Sequence, residues 1–547
     1  MTRHVSTYLT LVVALSVTCT TGVQARQDHS HHGDALGTVH FETTCAAGVN
    51  ATFTRAVALL HSFGYEESRR AFEDVAARDP QCGMAHWGIA MTWWHPLWAP
   101  PTRAELISGQ QAATKAKTIG ARTPRERAYI EAVGLFYDGA DTMTHQARAT
   151  AYRERMSRIV SEFKDDVEAS IFYALSLLAT VSPGDASFAN QKRAGEILNR
   201  ISIDHPDHPG VAHYVIHAFD YPRLAADALP AARAYAKIAP ASPHALHMPT
   251  HIFTRLGLWQ ESIDANLASA RAARELVARV HPGATSFDAL HALDYLVYAY
   301  LQIDDQEKAR AAADEAAAAR RFDEPSFAAG YAIAAIPARR ALELHDWKAA
   351  GALEAPAVDL PWQQFPYAPA ITHFTQAIGA ARTGQPARAR AALESLQTIQ
   401  RQLTTTPVPG PYDWAGQVES MRLAASAWLS RAEGRNDEAL TQAGAAADLE
   451  EKVGKHPVTP GSVLPARELL GDMLLDLDRP AEALKAYESS LMESPNRFNS
   501  LAGAALAATR SGQRDKAADY YRKLLKQVDP NSKRPEVQEA RAFLRGL

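Results

Sequence analysis

Cysteine is scarce in this chain: three in 547 residues, Cys19, Cys45 and Cys82. No two of them stand at the spacing of a zinc knuckle, so a cysteine-based structural zinc module is excluded. There is no glycine-rich phosphate loop following a strand, and no nucleophile elbow. Strand-like alternation of apolar and polar residues is nearly absent, which argues against a central sheet. Charge of one sign is lacking too. The net charge of -4 gives no electrostatic basis for nucleic acid or an anionic membrane surface. Past the first twenty residues, no segment is long and apolar enough to cross a bilayer.

What is present is apolar and helix-forming. The chain is 47% hydrophobic and 22% charged, enough for a large core. Alanine, the strongest helix former, dominates many segments. The N-terminus reads as an export signal over residues 1–25. Arg3 and His4 form a basic start, Tyr8 to Val17 an apolar stretch too short to span a membrane, and Val23-Gln24-Ala25 the cleavage site. Cys19 offers a rival, lipoprotein-type cleavage, with Thr18 a poor fit before it. The chain is therefore expected to be periplasmic or secreted. An exported chain meets an oxidising compartment, so a bond between Cys45 and Cys82 is expected; the alternative is two small buried residues. Residues 26–47 lack helical periodicity and read as a mobile leader containing His29, His31 and His32.

From about residue 48 the sequence alternates helix and turn almost to its end. Gly64-Tyr65, Ala71-Phe72 and Asp79-Pro80 fall at the turn, second-helix core and terminus of one unit. Ile89-Ala90 and Trp93 follow at the first-helix core of the next. Gly257-Leu258-Trp259 marks another turn. Near the C-terminus, Ala483, Tyr487 and Pro495 are followed by Gly512, Ala517 and Tyr521, again at the repeat's spacing. In these motifs the chain resembles tetratricopeptide repeats over nearly all of its expected mature length. The resemblance implies an all-α, right-handed superhelical solenoid of helical hairpins with a concave groove. It also implies an interaction role, with a protein or peptide partner in that groove. The same register puts Cys45 and Cys82 at the open end of the first hairpin, where a bond would add roughly 4 kcal/mol. Proline-rich stretches at 353–369, 404–413 and 456–465 interrupt the pattern. They suggest an N-terminal array over 48–352 and a C-terminal array over 353–547.

The most informative feature is a repeat of histidines. His213 and His217 are followed 34 residues later by His247 and His251. Forty-seven residues further on, His244, His247 and His251 are answered by His291, Asp294 and Tyr298. Periods of this size signal stacked helical hairpins. The resemblance implies that the second, fifth, ninth, twelfth and thirteenth places of each first helix face the groove. The fifth-place column then reads His213, His247, Asp294, and the ninth reads His217, His251, Tyr298. His244 and His291 stand at second places, Arg255 at a thirteenth place, and His61 and His95 at thirteenth places of earlier units. Trp87, Trp94 and His95 would form an aromatic floor.

Neutral imidazoles beside a carboxylate suit Zn, Cu, Ni or Fe. Histidines four apart on a helix form a two-ligand arm, but the zinc-protease signature is absent, since Tyr214 and Met248 stand where it needs glutamate. Pro249 should kink the helix between His247 and His251. His213, His217, His247, His251 and Asp294 are thus the candidate ligands. His244, His291, Tyr298, His95, His61 and Arg255 are candidate ligand-binding wall residues, Tyr298 or His291 also serving as a proton-transfer group. Three uses remain open: a binding protein holding a transition metal, a metalloenzyme using the same cluster, and a plain interaction scaffold.

Overall fold

The computed structural model describes Thr2 and residues 35–547 apart from Ala99, Pro183 and Pro411. The expected signal segment beyond Thr2, and His29, His31 and His32, lie outside the described residues. Within them the chain is an all-α solenoid of tetratricopeptide-like hairpins; β pairing is confined to isolated bridges such as Thr285 with Phe322. No helix among them is long and apolar enough to cross a membrane.

The solenoid follows from its local chemistry. Asn50–His61 packs on Tyr65–Arg78 as the first hairpin. Further on, first helices stack on first helices. Phe287–Gln302 lies on Phe327–Glu343, then Ala368–Arg382, Trp414–Ala432, Ala466–Asp476 and Phe498–Arg510 follow in order. Each helix buries one stripe only by leaning on its neighbours. Stacking runs without interruption across residue 353, where the sequence suggested a boundary between two arrays. Between helices the backbone turns through the left-handed region, and glycine supplies it at Gly384, Gly434 and Gly512. Gly257 is needed twice over: its φ is 64°, and a Cβ there would lie 2.3 Å from the carbonyl oxygen of Pro495. At the first turn the residue in this region is Phe63, with φ 55°, a costly conformation for an aromatic side chain.

Two segments depart from the expected layout. Residues 35–41, expected to be part of a mobile leader, run along the fold as an extended strap. Thr38 N–H donates to Asp207 O, and Ala241 N–H donates to Ala35 O. The reason is apolar: Leu36, Val39 and Phe41 are buried, Phe41 against Phe53, Trp87 and Tyr129. Close by, Cys45 is bonded to Cys82, with Cα atoms 4.9 Å apart.

The second departure is at the groove. The chain's own C-terminal half closes on it. Trp259 Nε1–H donates to Asn496 O at 2.9 Å, and Phe498 N–H to Gln302 Oε1 at 2.8 Å. The proline-rich segment 454–465 lies over the histidine helices. There Lys455 donates to Asp220, Tyr295 donates to Val458 O, and Arg339 donates to Ser462 O.

Candidate metal centre

Four helices aim histidines at one region. Pro209–Phe219 carries His213 and His217, one turn apart on the same face. The next pair of helices arises from one broken helix. Pro249 has no N–H to give, so the run starting at Pro243 stops at His247 and restarts as Pro249–Arg255. His247 and His251 fall on either side of that break, and the three histidines serve two sets. His244 joins His213 and His217, while His247 and His251 join His291 of Phe287–Gln302. The result is two sets of three histidines.

In the first set the Nε2 atoms of His217 and His244 each lie 3.1 Å from Nε2 of His213. In the second, the Nε2 atoms of His247 and His251 are 3.2 Å apart, and the His291 ring is centred 4.2 Å from that of His247. His213, His244, His247 and His251 are buried; His217 and His291 are partly exposed.

The outer nitrogens decide the tautomers. His213 Nδ1 lies 2.6 Å from the His61 carbonyl, which can only accept. His247 Nδ1 meets Asn266 Oδ1 at 2.8 Å; that amide is fixed because its nitrogen donates to Ser262 O. His251 Nδ1 meets Asp220 Oδ2 at 3.0 Å. Burial pushes the Asp220 carboxyl up, but Lys455 and Arg255 beside it outweigh that and hold it well below the usual range, so it too accepts. All three Nδ1 atoms are therefore N–H donors. A neutral ring then leaves Nε2 as a bare lone pair.

Neutral rings are what the site dictates. Burial, then repulsion among the rings, drives His213, His217, His244, His247 and His291 well below the ordinary histidine value. Burial lowers His251 as well, against the pull of Asp220. His247 and His251 thus point two bare lone pairs at each other across 3.2 Å with no proton between them. Such a contact is repulsive until a cation sits in it. Two donors each 2.0–2.1 Å from a zinc-like ion stand ~3.3 Å apart in tetrahedral geometry, close to the spacing here.

Other residues complete the walls. Phe63, in its left-handed turn, packs against His213, His217 and His244. Trp98 stands against His244, and Tyr295 edge-on to His247. Lys455, Asp220 and Asn266 lie behind the rings. Sequence reasoning missed Phe63, Asn266, Tyr295 and Lys455 as site residues; Asp220 stands at a groove-facing twelfth place without being a candidate ligand. Most come from distant segments. For Tyr295 a signal existed: Ser286 caps the helix Phe287–Gln302, accepting from the Ala289 N–H. Counted from Phe287, the fifth place is His291 and the ninth is Tyr295. Counting from Leu290 slips the register by three.

That slip moves Asp294 and Tyr298 off the site. Asp294 is buried against Arg339, its carboxyl raised to about 6 by burial against the pull of that guanidinium. The structure does not bring it to the histidines. Tyr298 accepts from Arg497 Nη1 at 2.9 Å, its ring flanked by Arg339 and Arg497. His61 belongs to a separate buried cluster. Its Nε2–H and that of His208 donate to Glu168 at 2.9 and 3.1 Å, and Tyr214 O–H donates to its Nδ1. His95 stacks on Tyr65 beside Trp98 rather than entering either set. Arg255 supports the site from behind by donating to Asp220. Trp87 and Trp94 are fully buried core residues, not a groove floor.

No family model matches the chain, and no curated protein matches it. Among solved structures it is similar to the Cut9–Hcn1 hetero-tetramer of the APC/C, at 14% identity over 91% of this chain and 90% of that one, TM-score 0.31. It is similar to human IFIT1 bound to m7Gppp-AAAA, at 12% identity over 81% and 90%, TM-score 0.39. It is also similar to the P58(IPK) TPR domain, at 15% identity over 70% and 99%, TM-score 0.21. Superpositions this loose bear on no functional point.

Proposed function

We propose that the protein binds transition-metal ions through the two three-histidine sets, in an exported compartment. The observation that carries this reading is the pair His247 and His251: both outer nitrogens face groups that can only accept, so two neutral lone pairs meet at 3.2 Å. Carbonyl, amide and carboxylate partners on the outer nitrogen are the usual support of a histidine ligand. An all-imidazole donor set suits copper, zinc, nickel or iron, with copper favoured by intrinsic affinity. Three protein donors per ion is the count of an open, reactive site rather than a closed structural one, which favours a metalloenzyme over a store. Asp294 has no part in the ligand set proposed here.

A scaffold that receives a partner in its groove is the weaker reading, because segment 454–465 of the chain itself lies over the histidines. The test is metal analysis of the full chain, purified without an affinity tag from its export compartment. Retained copper, zinc, nickel or iron, reduced in His247→Ala at unchanged helical content, supports the proposal. A metal-free protein that takes up none of these ions on dialysis contradicts it.

A further inference from the structure

Given that metal reading, charge makes a further demand on the centre. The six rings are neutral donors, and the nearby carboxylates are engaged elsewhere. Asp220 stands behind His251 and is held by Lys455 and Arg255. Asp294 is paired with Arg339, and Glu168 with His61 and His208. Dications in the two sets would bring four positive charges into a largely buried site with no anionic protein ligand. Uncompensated buried charge is strongly unfavourable. Lys455, buried and ammonium-bearing, adds to the positive potential.

The two sets are also adjacent. His217 and His251, one from each, have ring centres 6.3 Å apart, and His244 and His247 stand three residues apart on one short helix, Pro243–His247. Each set leaves its ion a free position. His217 and His291 are the partly exposed members, so the approach from solvent reaches both sets.

We propose that the two sets form a single two-ion centre whose open positions are shared by one small anion from solvent, of the class of hydroxide, halide or azide. The anion neutralises part of the charge the protein leaves uncompensated, and it couples the two ions.

The test loads the tag-free full chain with copper(II) sulfate, removes excess metal, counts copper, and integrates the EPR signal. Sodium azide is then titrated in and followed by its charge-transfer absorption. Two copper ions per chain, an EPR intensity far below that of two independent spins, and saturation at one azide per chain are expected. Two full independent spins, a single copper per chain, or azide binding at two per chain or not at all would each overturn the two-ion centre while leaving metal binding in place. No copper retained at all would instead overturn the metal reading beneath it. His244→Ala and His291→Ala are each expected to hold one copper with a full single-spin signal. Should either fail to fold, the wild-type spin count still decides.

Discussion

Two buried polar clusters in this chain contrast sharply. Around Arg497, in the C-terminal half, every donor is used. Its guanidinium donates to both oxygens of Glu343, both of Glu468, and Tyr298 Oη. Ser500 and Asn499 donate to the same carboxylates. Around His247 and His251 the outer nitrogens are as carefully matched, but the inner ones meet only each other. A closed network fixes structure. A network closed on one side and open on the other is arranged for something that is not protein.

Breaking the closed cluster should have the largest effect. Arg497→Ala leaves Glu343 and Glu468 buried without their cation, and is expected to destabilise by about 3–5 kcal/mol. Thermal or chemical unfolding reads this, and metal content per folded chain should be unchanged. A small loss of stability would mean that the closed cluster is not structural and would erase the contrast.

Filling the open cluster is the next test. Zinc or copper at a hundredfold excess over its dissociation constant should raise stability by about 2.7 kcal/mol per site, and should do so equally in Arg497→Ala. No shift in either protein would count against the open cluster as a metal site.

Proton uptake separates the clusters further. Histidines held below their ordinary value stay neutral in the folded state but charge in the unfolded one once the pH falls below about 6.5. Above that pH both states are neutral and nothing changes. Below it the unfolded state takes up protons the folded state refuses, so metal-free stability falls with acid. Asp288 and Glu450, pushed by burial to about 8 and about 7, pull the other way, so the comparison belongs on a difference. Between pH 6.5 and 5.5, His247→Ala should lose up to about 1 kcal/mol less than wild type. Equal losses would place a charged, exposed ring at 247.

The smallest effect concerns geometry. Pro249→Ala restores a helical N–H, so stability should hold or rise by under about 1 kcal/mol, while the break between His247 and His251 is lost and metal affinity drops. A melt and a metal titration on one sample read both. Unchanged affinity would mean that the break does not position the ligands.

Much of this was legible in the sequence. The all-helical solenoid follows from the turn and core spacing, and the pairs His213 with His217 and His247 with His251 from their shared place in successive helices. Pro249 announced the break. The ligand sets were less legible. Asp294 and Tyr298 look like column members only if the third helix starts near Leu290, and its cap is Ser286. His244 and His291 carry donors as central as the columns do: one short helix, Pro243–His247, gives His244 to the first set and His247 to the second, which His291 joins. Asp220 falls at the groove-facing twelfth place of the unit that carries His213 and His217, but nothing in the sequence pairs it with His251. Asn266 and Lys455 could not be read at all: they reach the site from a second helix and a loop more than two hundred residues downstream, and no local pattern marks such meetings.

The central claim is that the inner nitrogens face metal ions. Anomalous diffraction tests it most directly, with data collected above and below the copper and zinc absorption edges on crystals of tag-free, metal-replete protein. The account predicts two peaks, one about 2.0–2.1 Å from the Nε2 atoms of His213, His217 and His244, the other likewise placed among His247, His251 and His291. Well-ordered rings with no anomalous density between them, in crystals grown with either metal present, would contradict it.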